Sequence, residues 1–412
     1  MKIWGISRED WHQRLIKGLA WIWRTLLFRT TFIVVTGSVG KTTAKELIFA
    51  MLSPRALTLA TPVSDNGAHH VAQTILRARP WHRFVVLEAG TSGPGWIRRS
   101  ASIARPDIAV ILNVGRTHTD RFPTLDDTAK EKAALLTGLR RGGVAILNID
   151  DPRVAAMATG RKCRVVRFGL SEQAHVRATE ITSTWPERLS LTLNAQGVAQ
   201  RIETRLVGVH WTPSVLAAAS VALQCGVSPQ QIAEAVARVV PTPGRLDPRE
   251  LPSGAVILRD DFNGSLQTFN AAFQVLRDAV AARKILAITT VGDSPEGWDK
   301  RLRRIVCDSV GVVDSIVLVG TRNDTKRAVK AGVAAGFATE NFHCFTALAE
   351  AAEFLRGFLR AGDLLLLRGR TTDHIGRLYY AQTSDVRCWI SYCPKRELCE
   401  RCPELSGQSS AL

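Results

Sequence analysis

Apolar and polar positions follow two alternating patterns along the chain. Continuous apolar runs at residues 32–35, 84–87, 108–112 and 144–147 are typical of strands buried on both faces of a parallel sheet. Segments such as residues 44–52, whose apolar side chains recur at helical spacing, lie between these runs. Alternation of strand and helix predicts a doubly wound α/β domain.

The pattern changes twice further along. Residues 163–206 contain short β-like pieces and predict a β-rich edge of the first domain. Two prolines and a glycine within residues 241–245 stop any helix and predict a domain boundary. A second α/β unit is predicted beyond it, with strands 256–258, 285–288, 316–319 and 364–367 and helices 269–282 and 347–360. We therefore divide the chain into an N-terminal helix (1–30), a central domain (31–242), a C-terminal domain (243–382) and a cysteine-rich tail (383–412).

Residues 7–28 are predicted to form an amphipathic helix. One face is apolar and consists of Trp11, Leu15, Leu19, Ile22 and Leu26, and basic residues lie opposite it at Arg14, Lys17 and Arg24. We expect the helix either to pack on the next domain or to contact a membrane surface peripherally, which nearby Trp21 and Trp23 favour. Its uninterrupted apolar stretches are too short to span a bilayer, and Arg24 argues against a cleavable signal.

Composition narrows the class of ligand. The 412 residues include 54 Lys and Arg against 37 Asp and Glu, a net charge of +17, which favours anionic ligands or anionic surfaces. Nucleic acid is not expected as a partner, because no basic stripe is interleaved with aromatic residues. Four cysteines stand singly in apolar contexts at Cys163, Cys225, Cys307 and Cys344, which favours a reducing, cytoplasmic setting.

The clearest candidate site is the phosphate loop, residues 36–43, placed between a predicted strand and a predicted helix. Its anion-binding residues are Gly37, Ser38, Val39, Gly40, Lys41, Thr42 and Thr43. Glycines allow backbone N–H groups to approach a phosphate, Lys41 neutralises its charge, and Thr42 can ligate Mg²⁺. The spacing is not that of the ordinary motif, since Val35 stands five positions before Gly40. The alternative is a simple strand–turn–helix corner with an incidental lysine.

Two further polar segments follow buried runs. Glu88 directly follows residues 84–87, and residues 113–118 follow the next run. The carboxyl ends of parallel strands meet at one rim of a sheet, where such folds bind ligands. The Glu88 carboxylate is therefore expected close to Mg²⁺ beside Thr42.

These motifs together resemble the Mur ligase family, and most of all its branch that adds D-alanyl-D-alanine to UDP-muramoyl tripeptide. The resemblance runs from about residue 31 to 380 and rests on residues 36–43, 88–90, 106–110, 113–118, 129–132, 147–151, 208–210, 243–245 and 260–263. It implies an α/β protein with a central P-loop ATPase domain and a C-terminal Rossmann-like domain. The implied activity is an ATP-dependent ligase that joins a carboxylate to an amine.

The resemblance also implies roles for individual residues. The catalytic group would be Lys41, His118 and Lys132. The Mg²⁺ ligands would be Thr42, Glu88, His118 and Lys132, the lysine being carbamylated by CO₂ so that it offers anionic oxygens. ATP would be contacted by the phosphate loop and by His210, Arg245 and Asp260.

Several positions depart from the family pattern. Only about thirty residues precede the phosphate loop, so no UDP-binding domain is expected there. Trp211 and Ser214 alter the motif after His210, while Phe262 stands for a tyrosine and Ser265 for an asparagine. Residues 368–374 match the family only loosely. A different acceptor and a different incoming amine are therefore expected.

Four cysteines cluster in the tail with the pattern C-x₄-C-x₅-C-x₂-C: Cys388, Cys393, Cys399 and Cys402. Four convergent thiolates suit tetrahedral Zn²⁺, but only the last pair has the two-residue spacing common in zinc sites. Zn²⁺, an iron–sulfur cluster and free or redox-active thiols all stay open.

The sequence thus favours a ligase that releases ADP and phosphate through an acyl phosphate, with ATP and Mg²⁺ as cofactors. Its partners would be a small-molecule carboxylate and an amine or amino acid. The alternative is a P-loop ATPase switch, or a nucleotide-binding module driven by a partner, for which the N-terminal helix and the tail would be docking surfaces.

Overall fold

The computed structural model describes residues 8–63, 65–116, 121–160, 162–262, 265–289, 297–391, 393, 395 and 398–406. Contacts divide the chain into two units. The first contains residues 1–182, 189–205 and 209–240, and the second contains residues 183–188, 206–208 and 241–412. Each combines a largely parallel sheet with helices, so the predicted α/β fold class is confirmed.

The first unit contains helices α1 (Arg8–Leu26), α2 (Lys41–Leu52), α3 (Ala68–Arg77), α4 (Trp96–Ala104), α5 (Leu125–Ala133), α6 (Pro152–Ala156), α7 (Thr212–Gln224) and α8 (Pro229–Ala237). Its strands are β1 (Thr31–Thr36), β2 (Thr58–Ala60), β3 (Phe84–Glu88), β4 (Ile108–Ile111), β5 (Val144–Asn148), β6 (Arg164–Gly169), β7 (Val176–Thr182), β8 (Ser190–Ala195) and β9 (Val198–Glu203). The four apolar runs became β1, β3, β4 and β5, whose side chains are almost wholly buried.

These strands form one sheet in the order β2-β3-β1-β4-β5-β6-β7-β8-β9. The first seven in that order are mutually parallel, and the pairs β7–β8 and β8–β9 are antiparallel and form the predicted β-rich edge. Register aligns Val35 with Glu88 and Thr36 with Ile111. We call the rim at which the parallel strands end the carboxyl edge, and the rim at which they begin the amino edge.

Helix α1 packs on α3 and α4 through a face that the sequence did not indicate. Ala20 and Leu27 are buried there, and Ile16 and Trp23 pack against the same core. The apolar face that the sequence predicted is instead exposed at Leu15, Leu19, Ile22 and Leu26. The side chain of Trp11 lies outside the described residues. Two apolar stripes compete on this helix, and only tertiary contacts choose between them.

Arg24, expected on the polar face, is 2% exposed. Its guanidinium donates to the Ala104 carbonyl at 2.7 Å, to the Arg105 carbonyl at 2.9 Å and to the Asp107 carboxylate at 2.9 Å. Burial lowers the pKa of Arg24 to about 10, which still leaves it charged at pH 7. Arg24 therefore ties α1 to the end of α4.

The second unit contains strands β10 (Asp247–Glu250), β11 (Val256–Asp260), β12 (Arg283–Ile288), β13 (Ser315–Val319), β14 (Phe342–Phe345) and β15 (Asp363–Arg368). Its helices are α9 (Leu266–Asp278), α10 (Trp298–Asp308), α11 (Arg322–Ala334), α12 (Leu348–Phe358) and α13 (Arg377–Thr383). The sheet order is β10-β11-β15-β12-β13-β14, with β10 antiparallel to β11 and the other pairs parallel. Every strand predicted for this unit is present.

Among the helices that the structure describes, none is both long enough and apolar enough to cross a membrane.

Candidate active site

The phosphate loop connects β1 to α2 at the carboxyl edge. Gly40, directly before α2, has a φ of 83°, and an added Cβ would lie 2.6 Å from Ser214 Oγ. A Cβ on Gly37 would lie 2.9 Å from Leu112 Cβ. Both positions therefore require glycine, and the loop leads directly into the amino end of a helix, where an anion is favoured.

A second loop braces the phosphate loop. The side-chain oxygen of Asn113 accepts hydrogen bonds from the N–H groups of Ser38 and Val39, each at 3.0 Å. The Gly115 N–H donates to Ser38 Oγ at 2.7 Å. Sequence reasoning placed residues 113–118 at this rim but missed the bracing role of Asn113. The available signal was a polar residue directly after a buried strand.

Lys41 is half-buried and folds back over its own loop. Its ammonium donates to the Gly37 carbonyl at 2.9 Å and to the Ser38 carbonyl at 3.2 Å. The Lys41 ammonium, which the sequence analysis predicted to bind phosphate, therefore already lies at the loop and donates to two carbonyl oxygens.

Thr42 and Glu88 form a buried oxygen pair beside Lys41. The Thr42 hydroxyl donates to the Glu88 carboxylate at 2.8 Å, and the two residues are 2% and 1% exposed. The second oxygen of the carboxylate accepts from the Asn66 amide at 3.1 Å. The sequence analysis assigned no role to Asn66. A Cβ on Gly90 would lie 2.4 Å from the Asn66 side chain, so Gly90 makes room for it.

Lys132 lies on α5 and is 2% exposed. Burial, and secondarily the positive charge of Lys41, lowers the pKa of Lys132 to about 7, while Glu131 opposes the shift. The Glu131 carboxylate accepts from the Gly95 and Ile97 N–H groups, each at 2.7 Å, at the start of α4. Glu131 therefore fixes α5, and Lys132 with it, against α4.

Three further residues of the first unit were predicted to belong to the site, namely Thr43, His118 and His210. Thr43 is buried in the first turn of α2. His118 lies outside the described residues, so its predicted role stays a prediction. Burial lowers the pKa of His210 to about 4, so its imidazole is neutral at pH 7, and its ring lies 4.6 Å from that of Trp211.

In the second unit, the Asp260 carboxylate forms an ion pair with the Arg368 guanidinium. Burial raises the pKa of Asp260 to about 6, and the charge of Arg368 opposes this shift. Arg368 also donates to the Ser265 carbonyl at 2.8 Å and to the Thr268 hydroxyl at 2.6 Å. The Arg245 guanidinium lies 4.5 Å from the centre of the Phe262 ring.

The four tail cysteines line one cavity of the second unit together with His374 and Arg377. Cys399 Sγ lies 3.2 Å from His374 Nδ1, the Arg377 guanidinium donates to Cys388 Sγ at 3.5 Å, and the Lys395 ammonium donates to Cys402 Sγ at 3.4 Å. Within the described part of the chain, however, no group of three or more His, Cys, Asp or Glu side chains is placed to hold a metal ion. The zinc hypothesis is therefore not supported.

The tail nevertheless contacts the second unit closely. The Glu400 carboxylate accepts from the buried Arg259 guanidinium at 2.5 Å, and Arg259 also pairs with Asp261 at 3.0 Å. Leu405 packs against the core of that unit. Deleting the tail would leave Arg259 without one of its two carboxylates, so a truncation is not structurally neutral.

Two family profiles match the chain. The Mur ligase middle domain matches residues 35–222, and the glutamate ligase domain of Mur ligases matches residues 244–371. A Mycobacterium bovis protein named UDP-N-acetylmuramoyl-tripeptide–D-alanyl-D-alanine ligase is 30% identical over 378 residues, which are 87% of this chain and 74% of that protein. An Escherichia coli protein of the same name is 31% identical over 281 residues, 67% of this chain and 60% of that protein.

Solved structures give the same result. A crystal structure of MurF from Acinetobacter baumannii has a TM-score of 0.81 and 25% identity, and covers 89% of this chain and 79% of its own. MurF from Thermotoga maritima in complex with ADP has a TM-score of 0.76 and 20% identity, covers 90% and 83%, and supports the fold alone. These matches favour the ligase hypothesis over the ATPase switch. The chain belongs to the Mur ligase family and is an ATP-dependent ligase that forms amide bonds.

Proposed function

We propose that this ligase activates a small-molecule carboxylate as an acyl phosphate and then joins it to an amine. A carboxylate oxygen attacks the γ-phosphorus of ATP, the bond to the β-phosphate oxygen breaks, and ADP leaves. The amine nitrogen attacks the acyl carbon, the bond from that carbon to the phosphate oxygen breaks, and an amide, phosphate and a proton are released. The observation that carries this proposal is the buried Thr42–Glu88 pair beside the Lys41 loop.

Lys41 would act by charge. Its ammonium would leave the Gly37 and Ser38 carbonyls and bind the β- and γ-phosphates, which offset its charge far better than neutral carbonyls do. Phosphoryl transfer needs positioning and charge neutralisation more than a covalent nucleophile. This role explains why no Cys or Ser nucleophile is required.

Thr42 and Glu88 would hold one Mg²⁺. A hydroxyl and a carboxylate oxygen 2.8 Å apart are hard ligands of the kind that Mg²⁺ prefers, and Asn66 fixes the orientation of the carboxylate. When bound, the ion neutralises charge on the transferring phosphoryl group. His118 would contribute to a second ion together with Lys132.

Lys132 would serve as a carbamate rather than as an ammonium. CO₂ adds to a neutral amine, a nitrogen–carbon bond forms, a proton is lost, and one negative charge is shared by two oxygens. The side chain is buried beside Lys41, which disfavours a second positive charge, and its pKa of about 7 leaves about half of the amine neutral at pH 7.

His210, Arg245 and Asp260 would contact the nucleotide, as the family resemblance implies. The similar proteins are named for joining D-alanyl-D-alanine to UDP-N-acetylmuramoyl-tripeptide. We propose a different carboxylate and a different amine for this chain. Ser265, which departs from the family pattern, bonds through its carbonyl to Arg368 of the loosely matching segment, so changes on the amine side lie in one cluster.

Phosphate release from ATP by the purified protein tests the proposal. We expect negligible release with ATP alone, with pooled carboxylates alone or with pooled amino acids alone, and rapid release with both pools. Mass spectrometry of the productive mixture should find a product that equals the two substrates minus one water. Release that needs neither pool, or that responds only to a macromolecule, would contradict the ligase mechanism.

A further inference from the structure

The amino edge of the nine-stranded sheet, opposite the phosphate loop, is strongly basic. The loops before strands β1 to β6, together with the first residue of β6, carry nine basic residues: Arg29, Arg55, Arg79, Arg83, Arg105, Arg140, Arg141, Lys162 and Arg164. All of these side chains are exposed except Arg105, which is half-buried. The single acid in these loops is Asp107, and it pairs with Arg24 and Arg140. Basic charge here is therefore almost uncompensated.

The same loops also expose large apolar side chains. Phe28 is 72% exposed, Leu57 61% and Trp81 65%. Helix α1 leads into this edge and adds the unpacked face described above, with Leu15, Leu19, Ile22 and Leu26 exposed. We call the basic and apolar residues of these loops, together with this face of α1, the amino-edge surface.

Contacts join neighbouring loops of the amino-edge surface. The Thr30 hydroxyl donates to the His82 carbonyl at 2.7 Å, next to Trp81, and the Arg83 N–H donates to the Leu57 carbonyl at 2.9 Å. Phe28, Arg105 and Arg140 line one depression. Since neighbouring strands lie about 4.8 Å apart, the six loops form a row of about 24 Å.

We propose that the amino-edge surface docks on the headgroup region of a bilayer that contains anionic lipid. The arginines are spaced along a row, so they match a partner surface whose negative charge extends over the same length. A leaflet that contains anionic lipid presents negative charge over its whole plane. Aromatic and leucine side chains between the arginines suit the boundary between headgroups and acyl chains. An acidic protein would also match the charge, and the vesicle experiment below separates it from a bilayer, because only a bilayer predicts binding to lipid alone.

This orientation fits the position of the chemistry. The phosphate loop and Glu88 lie at the carboxyl edge of the same parallel strands, so docking through the amino edge leaves the ATP site of this unit facing away from the lipid. Docking is independent of the ligase proposal, because no residue of the amino-edge surface takes part in the proposed chemistry.

Vesicle sedimentation with the full chain tests the proposal. Vesicles of 30% phosphatidylglycerol in phosphatidylcholine should bind the protein at 50 mM salt, and the bound fraction should fall steeply by 500 mM salt. Each basic residue near such a surface contributes about fivefold to binding. The triple substitution Arg29→Gln, Arg55→Gln and Arg141→Gln should therefore lower the binding constant at least tenfold. Phe28→Ser with Trp81→Ser should lower it at unchanged net charge.

Matched controls separate a docking surface from general attraction by a basic protein. Arg322→Gln, Lys326→Gln and Lys330→Gln remove the same charge from exposed positions of α11 and should change binding less than twofold. Leu170→Ser with Val198→Ser is the control for the apolar pair, since both side chains are exposed elsewhere in the first unit. Equal losses in target and control variants, or no binding to anionic vesicles, would overturn the proposal. Equal binding to pure phosphatidylcholine vesicles would do the same.

Discussion

The two edges of the nine-stranded sheet use charged residues in opposite ways. At the carboxyl edge, Glu88 and Lys132 are buried, and Glu88 is held by specific hydrogen bonds. At the amino edge, Arg55 and Arg141 are exposed to solvent. A buried polar group depends on its one protein partner, because no water molecule can take the place of that partner. An exposed charge is screened by salt, and it matters only through the total charge of its surface. Single substitutions should therefore have large effects at the carboxyl edge and small effects at the amino edge.

The largest effect is expected for Lys41→Ala. Loss of the ammonium removes the phosphate-binding charge from the loop and should lower phosphate release by about 10³-fold or more. Circular dichroism should be unchanged, because the two described hydrogen bonds of the Lys41 ammonium are to carbonyls of its own loop and no strand or helix depends on them. Activity within threefold of the unchanged protein would contradict the phosphate-loop assignment.

Lys132→Ala should lower activity by about 10²-fold, an effect on the scale of losing one positioned charge in a site. Added bicarbonate or a short carboxylate should restore part of it, because the missing group in our proposal is a carbamate. Lys132→Arg should be as inactive as Lys132→Ala. The control is Lys130→Ala, an exposed lysine two residues earlier on the same helix, which should keep full activity. An active Lys132→Arg variant would show that charge, and not the carbamate, is what matters.

Arg24 sharpens the comparison because it is a buried arginine next to the exposed ones. Arg24→Met keeps much of the side-chain volume but leaves two backbone carbonyls without their guanidinium donor and removes one of the donors to Asp107. We expect a loss of about 3 kcal/mol in the free energy of unfolding, measured by urea denaturation. Arg29→Gln, at an exposed position five residues later, should change it by less than about 0.5 kcal/mol. Similar losses of unfolding free energy in the two variants would contradict the stated difference between buried and exposed charges.

Glu88→Gln should give a smaller, more specific change. The amide can still accept from the Thr42 hydroxyl but loses the negative charge, so the Mg²⁺ concentration for half-maximal activity should rise about tenfold. Folding stability should change little. An unchanged Mg²⁺ requirement would show that Glu88 has no part in binding the ion.

Local patterns predicted much of the fold. The central strands and the phosphate-loop helix follow from runs of apolar residues and from two glycines, which are signals contained within a few residues. The packing of α1 could not be predicted in this way. Leu15 and Leu19 are more apolar than Ala20 and Arg24, yet Ala20 and Arg24 are the buried residues. The carbonyl and carboxylate groups that accept hydrogen bonds from Arg24 lie about eighty residues away on the chain, so no local pattern reveals them.

The candidate site shows the same limit. Lys41, Thr42 and Glu88 could be named because each stands in or directly after a recognisable element. Asn66 and Asn113 could not, since their roles depend on which loops meet at the carboxyl edge. The tail cysteines gave a pattern of types and spacings, but thiols that line one cavity are not by themselves arranged as a metal site.

The hydrogen bonds of Lys41 have a consequence for the choice of nucleotide. Before any ligand binds, its ammonium is already satisfied by the Gly37 and Ser38 carbonyls, and each of these bonds must be given up when it moves. Only a ligand whose own oxygens extend as far as Nζ can compensate for that loss. With the binding mode proposed above, a nucleoside monophosphate would offer no β- or γ-phosphate oxygens to the ammonium and would leave it on the carbonyls. The loop would then select nucleotides by the length of the phosphate chain and favour the triphosphate before any bond is made or broken.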